Sequence, residues 1–236
     1  MYLAIDTSTN TAGLALMTSG HLVAEDAWYC ARNQSVELLP HIVSLLARAQ
    51  VNIKNISAVI AAHGPGGFNS LRVGLGTAKG LAFGLNLPIV GISTLAAAAY
   101  QHAPTKLSVC AVLPAGRAEV AWAIYQELGG HWQSLSLETI SSPNDIYDNI
   151  SSPTVFAGEF DESLITAARA KLGELAVIPT SPPKSRAHAL AELGTRRLAA
   201  GDIDDTATLQ PTYLRRPPIT PPKSKAAGLR SPPPPP

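Results

Sequence analysis

Two cysteines in 236 residues, Cys30 and Cys110, provide neither a disulfide framework nor a CxxC pair for a metal or redox couple. They stand 80 positions apart among apolar neighbours and read as buried thiols. Charge is also scarce. Charged residues make up 15% of the chain against 46% hydrophobic, which excludes a disordered, coiled-coil or supercharged protein. No apolar run spans a bilayer either, because the longest uncharged stretch, Gly80 to Thr105, is broken by Asn86, Pro88, Gln101, His102 and Pro104. A membrane helix needs about 20 consecutive apolar residues. The N-terminus reaches Asp6 with no basic segment before it, so it does not read as a signal peptide, and the cytoplasm is the expected location.

Standard catalytic motifs are absent as well. There is no GxSxG, HExxH, Walker A or GxGxxG. The six histidines (His21, His41, His63, His102, His131 and His188) never fall within five positions of one another, so no helix presents a His pair to a metal. The formal charge of +1 conceals an asymmetry. Residues 211–236 hold Arg215, Arg216, Lys223, Lys225 and Arg230 and no acid, which leaves 13 basic and 17 acidic groups in the first 210. A body of that sign lacks the concentrated basic surface of an autonomous nucleic-acid binder.

The length suits one large domain or two small ones, at roughly 100–200 residues per domain. Three short strand-like segments, Tyr2 to Ile5, Ala12 to Met17 and His21 to Tyr29, suggest an antiparallel meander. A helix over Ser35 to Gln50 follows, then a strand at Ala58 to Ala62, a helix over Asn69 to Leu85, a strand at Ile89 to Gly91 and a helix from Thr94. After Lys106 the order recurs. Strands are expected at Leu107 to Leu113, Val120 to Tyr125, Trp132 to Leu137, Thr154 to Ala157 and Ala176 to Ile178, with helical segments at Asn144 to Ile150, Asp161 to Leu172 and Arg186 to Ala200. Two successive βββαβα-type units predict a duplicated α/β architecture with mixed sheets. Half of the twenty prolines lie in the last 26 residues, so segment 217–236 is expected to be an extended, disordered tail.

Two loops invite a chemical reading. His63-Gly64-Pro65-Gly66-Gly67-Phe68-Asn69-Ser70 joins a buried strand to a helix. Pro65 and Gly66 suit a type II turn, and Asn69 or Ser70 suits a helix cap. Backbone amides at Gly64, Gly66 and Gly67 could bind an anion or phosphate, and a tight turn that lets helix and sheet approach is the alternative. Asp6, Thr7, Ser8 and Thr9 form a hydroxyl-rich loop behind a carboxylate, as in a phosphate site. No glycine lies between Asp6 and Thr11, so an ordinary polar hairpin stands equally.

The helices carry more apolar surface than one core face needs. Leu71, Leu75, Ala78, Ala82 and Leu85 form a core stripe, yet the opposite side carries Arg72, Gly76, Lys79, Gly80 and Phe83. An interior glycine costs about 1 kcal/mol relative to alanine, so a solvated face would rarely keep two beside a phenylalanine. In the first helix Leu38, Ile42, Leu45 and Ala49 suffice for the core, and Val36, Leu39, Val43 and Leu46 widen the arc to roughly 200°, against a stripe of about 100°. Either intramolecular neighbours or a partner protein would account for both surpluses.

Several blocks resemble one family. They are Ala4-Ile5-Asp6-Thr7-Ser8-Thr9, Ser35 to Pro40, Gly64-Pro65-Gly66-Gly67-Phe68 with Leu71-Arg72-Val73-Gly74, Ala78-Lys79-Gly80-Leu81-Ala82, Pro88 to Leu95 and Pro211-Thr212-Tyr213-Leu214-Arg215. The chain resembles the bacterial TsaB (YeaZ) proteins, which are glycoprotease-like members of the actin-like ATPase superfamily. The resemblance implies a duplicated actin-like ATPase (ribonuclease-H-like) fold. Residues 1–105 would form one half bearing partner-binding helices, residues 106–216 a second half whose last helix packs back on the first, and 217–236 the tail. It also implies a non-catalytic subunit of the complex that installs threonylcarbamoyl on the adenosine next to the tRNA anticodon. A TsaD-like catalytic subunit and a TsaE-like ATPase would be its partners, a homodimer an alternative assembly, and tRNA would be met only through the complex. The implied partner interface is Val36, Leu39, Val43, Leu46, Arg72, Gly76, Lys79, Gly80 and Phe83. Asp6, Thr7, Ser8, Thr9, Gly64, Gly66 and Gly67 would be vestigial nucleotide or anion loops, with no metal, no catalytic residue and no cofactor beyond weak nucleotide binding.

Three departures from the family pattern stand out: Gln34 in place of a histidine, Asn69-Ser70 in place of Thr-Gly, and Pro114-Ala115-Gly116 in place of Asp-Ala-Arg, with Arg117, Glu119 and Val120 retained. They weaken a residual nucleotide or RNA site and leave the helices untouched. The rival reading is a stand-alone ATP-binding or metallopeptidase-like enzyme of the same fold.

Overall fold

A computed structural model describes residues 1–18, 20–180 and 185–215, so the proline-rich segment 217–236 lies outside the described residues. The chain begins with three antiparallel strands, β1 (Tyr2–Asp6), β2 (Thr11–Thr18) and β3 (His21–Tyr29). Helix α1 (Gln34–Arg48), β4 (Ala58–Gly64), helix α2 (Phe68–Leu85), β5 (Ile89–Ser93) and helix α3 (Thr94–Tyr100) complete the first unit. β4 joins β1 in parallel and β5 joins β4, giving the sheet order β3-β2-β1-β4-β5.

The second unit repeats this plan. It comprises β6 (Ser108–Gly116), β7 (Glu119–Leu128), β8 (His131–Ser134), β9 (Thr139–Ser141), α4 (Pro143–Asp148), β10 (Thr154–Gly158), α5 (Glu162–Leu172), β11 (Ala176–Val177) and α6 (Arg186–Ala199). Its sheet runs β11-β10-β6-β7-β8, the same order read from the other edge, with β9 added on β7. The expected duplicated α/β architecture with mixed sheets is therefore present.

Helices cover both faces of each sheet, which explains why β2, Thr-Ala-Gly-Leu-Ala-Leu-Met-Thr, is buried along six consecutive positions instead of alternating. On the outer face of the first sheet Leu38, Ile42 and Leu45 of α1 and Leu75, Ala78 and Ala82 of α2 pack against Leu3, Ile5, Leu14 and Leu16. The inner face is covered from the second unit: Ala187, Leu190 and Ala191 of α6 pack on Ala4, Ala15, Met17 and Val90. Leu95, Ala98 and Ala99 of α3 reciprocate on the second sheet, against Val109, Ala111, Ala123 and Val155. Each unit thus lends its last helix to the central layer. The outer face of the second sheet is closed by Ile146 and Tyr147 of α4 and Leu164 and Ala168 of α5.

Local details differ from expectation around α2. The Gly64–Pro65 peptide is cis, and Pro65 and Gly66 form a bend with no type II turn. Gly67 occupies the N-cap with no side-chain cap bond, so neither Asn69 nor Ser70 caps the helix. Beyond α6 the chain turns back along the first unit. Asp204 accepts a hydrogen bond from the Gly91 amide at 2.7 Å, Leu209 joins the outer core, and the Thr212 amide donates to the His63 carbonyl at 2.7 Å.

Candidate functional site

Two regions gather the residues singled out in the sequence. The first is the outer surface of α1 and α2, which pack on each other. Val36, Leu39 and Val43 of α1 are 73%, 54% and 66% exposed, and Phe83 of α2 is 84% exposed. On α2, Gly76, Gly80 and Gly84 are exposed as well, and a Cβ at any of them would meet nothing within 4 Å. The three glycines recur every four residues and so share one side of α2. Pro40, in the interior of α1, supplies no N–H to the Val36 carbonyl four residues back.

Three of the expected interface residues are engaged within the chain. Leu46 is 8% exposed and belongs to the outer core of the first unit. At 100° per residue it lies about 40° from Ile42 and only about 20° from the exposed Leu39, so the helix period alone does not separate the buried residue from the exposed one. Lys79 is half-buried and donates to the carbonyls of Leu209, at 2.8 Å, and Ala207, at 3.3 Å. Arg72 lies over the Phe68 ring at 4.0 Å and donates from Nε to the Tyr213 hydroxyl at 3.2 Å. The returning C-terminal segment holds both basic groups.

The second region is a cleft of about 550 Å³ between the units, lined by Ser8, Thr9, Pro65, Gly66, Gly67, Leu113, Pro114, Ile140, Glu159 and Tyr213, among others. The two loops meet here: the Gly67 amide donates to the Ser8 carbonyl at 2.8 Å. A Cβ on Gly66 would stand 2.3 Å from that carbonyl, and one on Gly64, whose φ is +123°, would stand 2.4 Å from the Thr212 carbonyl. Both glycines answer to close backbone packing, the alternative weighed for this loop. Thr7 donates to the Ser70 carbonyl at 2.6 Å, and the Ser8 amide and hydroxyl both donate to Asp6 Oδ1, the amide at 2.9 Å. Gln34 is buried and donates to the Ala31 carbonyl at 3.0 Å.

The sequence offered no signal for the group that ties the two units together beside this cleft, in a smaller cavity of about 240 Å³ lined by Asp6, Thr11, Glu159 and Arg186 among others. Arg186, the first residue of α6, donates from Nε to Asp6 Oδ2 at 2.8 Å and from Nη1 to Glu159 Oε1 at 2.6 Å. Its Nη2 donates to the Thr9 hydroxyl at 2.6 Å and the Thr11 carbonyl at 3.0 Å. Burial opposes its charge, but the carboxylates of Asp6 and Glu159 outweigh that and hold the guanidinium above its ordinary value. Further ties join the units: Ser93 of the first donates to Glu138 of the second, which also accepts from Tyr125, and Arg215 pairs with Glu119. Among the described residues no group of three or more His, Cys, Asp or Glu side chains could hold a metal, and no helix is long and apolar enough to cross a membrane.

The repeated strand order and the exchanged last helices define a duplicated α/β protein with two mixed sheets. A family model described as TsaD, tRNA N6-adenosine threonylcarbamoyltransferase, matches residues 28–188. The tRNA threonylcarbamoyladenosine biosynthesis protein TsaB of Bacillus subtilis is 30% identical over 217 residues, covering 90% of this chain and 93% of that protein. The Escherichia coli protein of the same name is 33% identical over 153 residues, covering 63% and 65%. The solved structure of YeaZ from Pseudomonas aeruginosa superposes with a TM-score of 0.75 at 27% identity, covering 90% of this chain and 99% of that one. The chain belongs to the TsaB (YeaZ) family.

Proposed function

We propose that this chain is a non-catalytic subunit of the machinery that makes tRNA N6-threonylcarbamoyladenosine, and that it docks a TsaD-like catalytic subunit through the outer face of α1 and α2. The names of the relatives support the pathway. One observation carries the role: on two helices that pack together, Val36, Leu39, Val43 and Phe83 stand in the open, and Gly76, Gly80 and Gly84 front open space. Large apolar side chains exposed together on one pair of helices mark a protein interface, and glycines let partner backbones come close. A TsaD-like subunit is the favoured partner because the family model described as TsaD matches this chain, so the two proteins would meet through equivalent helices. A TsaE-like ATPase would join the pair, tRNA would be met only in the assembled complex, and a homodimer would use the same face in the partner's absence.

The rival reading, a stand-alone ATP-using or metallopeptidase-like enzyme, requires a free carboxylate to position metal or water. Asp6, the candidate, is 2% exposed and already paired with Arg186 and Ser8. The direct test is co-purification with the TsaD homologue of the same organism, followed by tRNA modification with and without this chain. Stable capture and modification that depends on the chain are expected. Equal modification in its absence, or ATP turnover by the isolated protein that disappears in Asp6→Ala, would overturn the assignment.

A further inference from the structure

An actin-like ATPase fold implies a nucleotide and its metal in the cleft between the halves, next to the carboxylate that ends β1. The residues present do not fit that group. The oxygen atoms that would face a cation there are the carboxylates of Asp6 and Glu159, the Thr9 hydroxyl and the Thr11 carbonyl, a hard-oxygen set suited to a divalent ion. All four accept from one side chain, the guanidinium of Arg186, which is 10% exposed and lies 2.6 to 3.0 Å from each. The glycine loop opposite has no slack either, since Gly66 closes directly on the Ser8 carbonyl.

We infer that Arg186 is the resident cation between the halves, beside the cleft: it replaces the metal–nucleotide of the fold class and clamps the two halves at one separation that no ligand adjusts. The connectivity supports a clamp. Asp6 ends the central strand of the first sheet, Glu159 follows β10 of the second, and Thr9 lies in the loop between β1 and β2. The guanidinium therefore joins both sheets, and it is itself anchored on α6, whose apolar side packs on the first sheet. Planar, charged at every working pH and carrying five fixed donors, an arginine can bridge two carboxylates with a geometry that a lysine cannot hold. A rigid separation keeps the α1–α2 face in one orientation relative to the second unit, but the inference does not depend on which partner docks there.

The test measures the separation in the full chain. Spin labels attached after Lys54→Cys and Asp148→Cys report one distance across the halves, because both positions are exposed while Cys30 and Cys110 are buried. The expected result is a single narrow distribution that about 1 mM Mg²⁺ and ADP leave unchanged, with no heat of binding by calorimetry. Arg186→Gln removes the charge and should broaden the distribution roughly twofold or add a longer distance. Should that variant fail to fold, Glu159→Ala removes only the second-half anchor, from a side chain that is 32% exposed, and should broaden it likewise. An unchanged narrow distribution in the folded variants would overturn the clamp. Binding of Mg²⁺·ADP by the unmodified chain, lost in Asp6→Asn, would overturn the replacement.

Discussion

Helices α1 and α2 of the first unit and α4 and α5 of the second stand at equivalent places in a repeated topology, each pair on the outer face of its sheet. The surfaces they turn outward differ. The first pair exposes Val36, Leu39, Val43 and Phe83, whereas the second exposes Asn144, Asp145, Asp148, Glu162, Thr166, Arg169 and Lys171 and no large apolar side chain. Their lengths differ too, 15 and 18 residues against 6 and 11. One fold has thus produced an ordinary solvated layer and an uncovered one within the same chain. The second unit serves as an internal control: packing a sheet does not by itself require apolar residues on the far side of its helices, so the surplus on α1 and α2 calls for a different cause.

The largest effect should come from the one expected interface residue that is buried. Leu46→Asp places an uncompensated charge among Leu14, Leu38, Leu45 and their neighbours, at a cost of at least ~4 kcal/mol, a large share of the roughly 5–15 kcal/mol that holds such a domain folded. Loss of the cooperative thermal transition by circular dichroism is the expected outcome. A Leu46→Asp protein that melts like the parent would place this flank of α1 in the open face and extend the contrast between the two layers.

Next in size is partner capture, where paired substitutions compare the layers directly. Leu39→Asp and Phe83→Ala should leave folding intact and weaken binding of a TsaD-like subunit at least ~30-fold, the loss that about 2 kcal/mol at a central interface side chain produces. Thr166→Asp at an exposed position of α5 should leave affinity unchanged, as read by titration calorimetry with the same partner. Equal losses from both layers would erase the distinction, and no loss from either would remove the α1–α2 face as the docking site.

How much of this contrast the sequence reveals depends on the range of the interactions. The 3.6-residue period places Leu38, Ile42, Leu45, Leu71, Leu75, Ala78 and Ala82 inside and turns Val36, Val43 and Phe83 away from those stripes, because those sides follow from helix geometry alone. It fails to separate the buried Leu46 from the exposed Leu39, about 20° away on the helix, because that depends on how α1 lies against its surroundings, and it fails at Lys79, which is held by carbonyls 128 and 130 residues further on. Strand β9 was equally hidden: Thr139-Ile140-Ser141 has too few residues to show alternation and exists through its pairing with β7. The cleft was half legible. Both loops were picked out, but their contact and the Arg186 bridge, which spans 180 positions back to Asp6, arise only from the fold.

Gly80→Trp sharpens the comparison without disturbing the core. A Cβ there meets open space and the exposed position tolerates bulk, so the melting temperature should move by less than ~4 °C, what about 1 kcal/mol corresponds to at this size. Capture of the TsaD-like subunit should nevertheless be blocked in a pull-down, because the indole fills the strip that a partner helix needs. A folded Gly80→Trp protein that binds with parental affinity would show that the glycines do not mark a close approach.

The smallest effect concerns His63, which separates the two regions from a third contributor to stability. Burial holds its imidazole below the ordinary value of about 6.5, with Glu138 and Asp204 pulling the other way, and its Nδ1 lies 2.9 Å from the Thr212 hydroxyl. A histidine whose folded value is depressed prefers to be neutral in the native state. Above pH 6.5 both folded and unfolded chains are neutral there and the full stability is present. As pH falls below that, the unfolded chain takes up the proton first and stability drains away toward the folded value. Lowering the pH from 7 to 5 should therefore reduce the melting temperature by a few degrees, and His63→Asn should flatten part of that slope while leaving partner affinity at pH 7 unchanged. If His63→Asn keeps the parental pH slope, the acid sensitivity resides elsewhere. If it instead weakens partner capture at pH 7, the returning segment at Thr212 contributes to docking, and the uncovered face extends beyond α1 and α2.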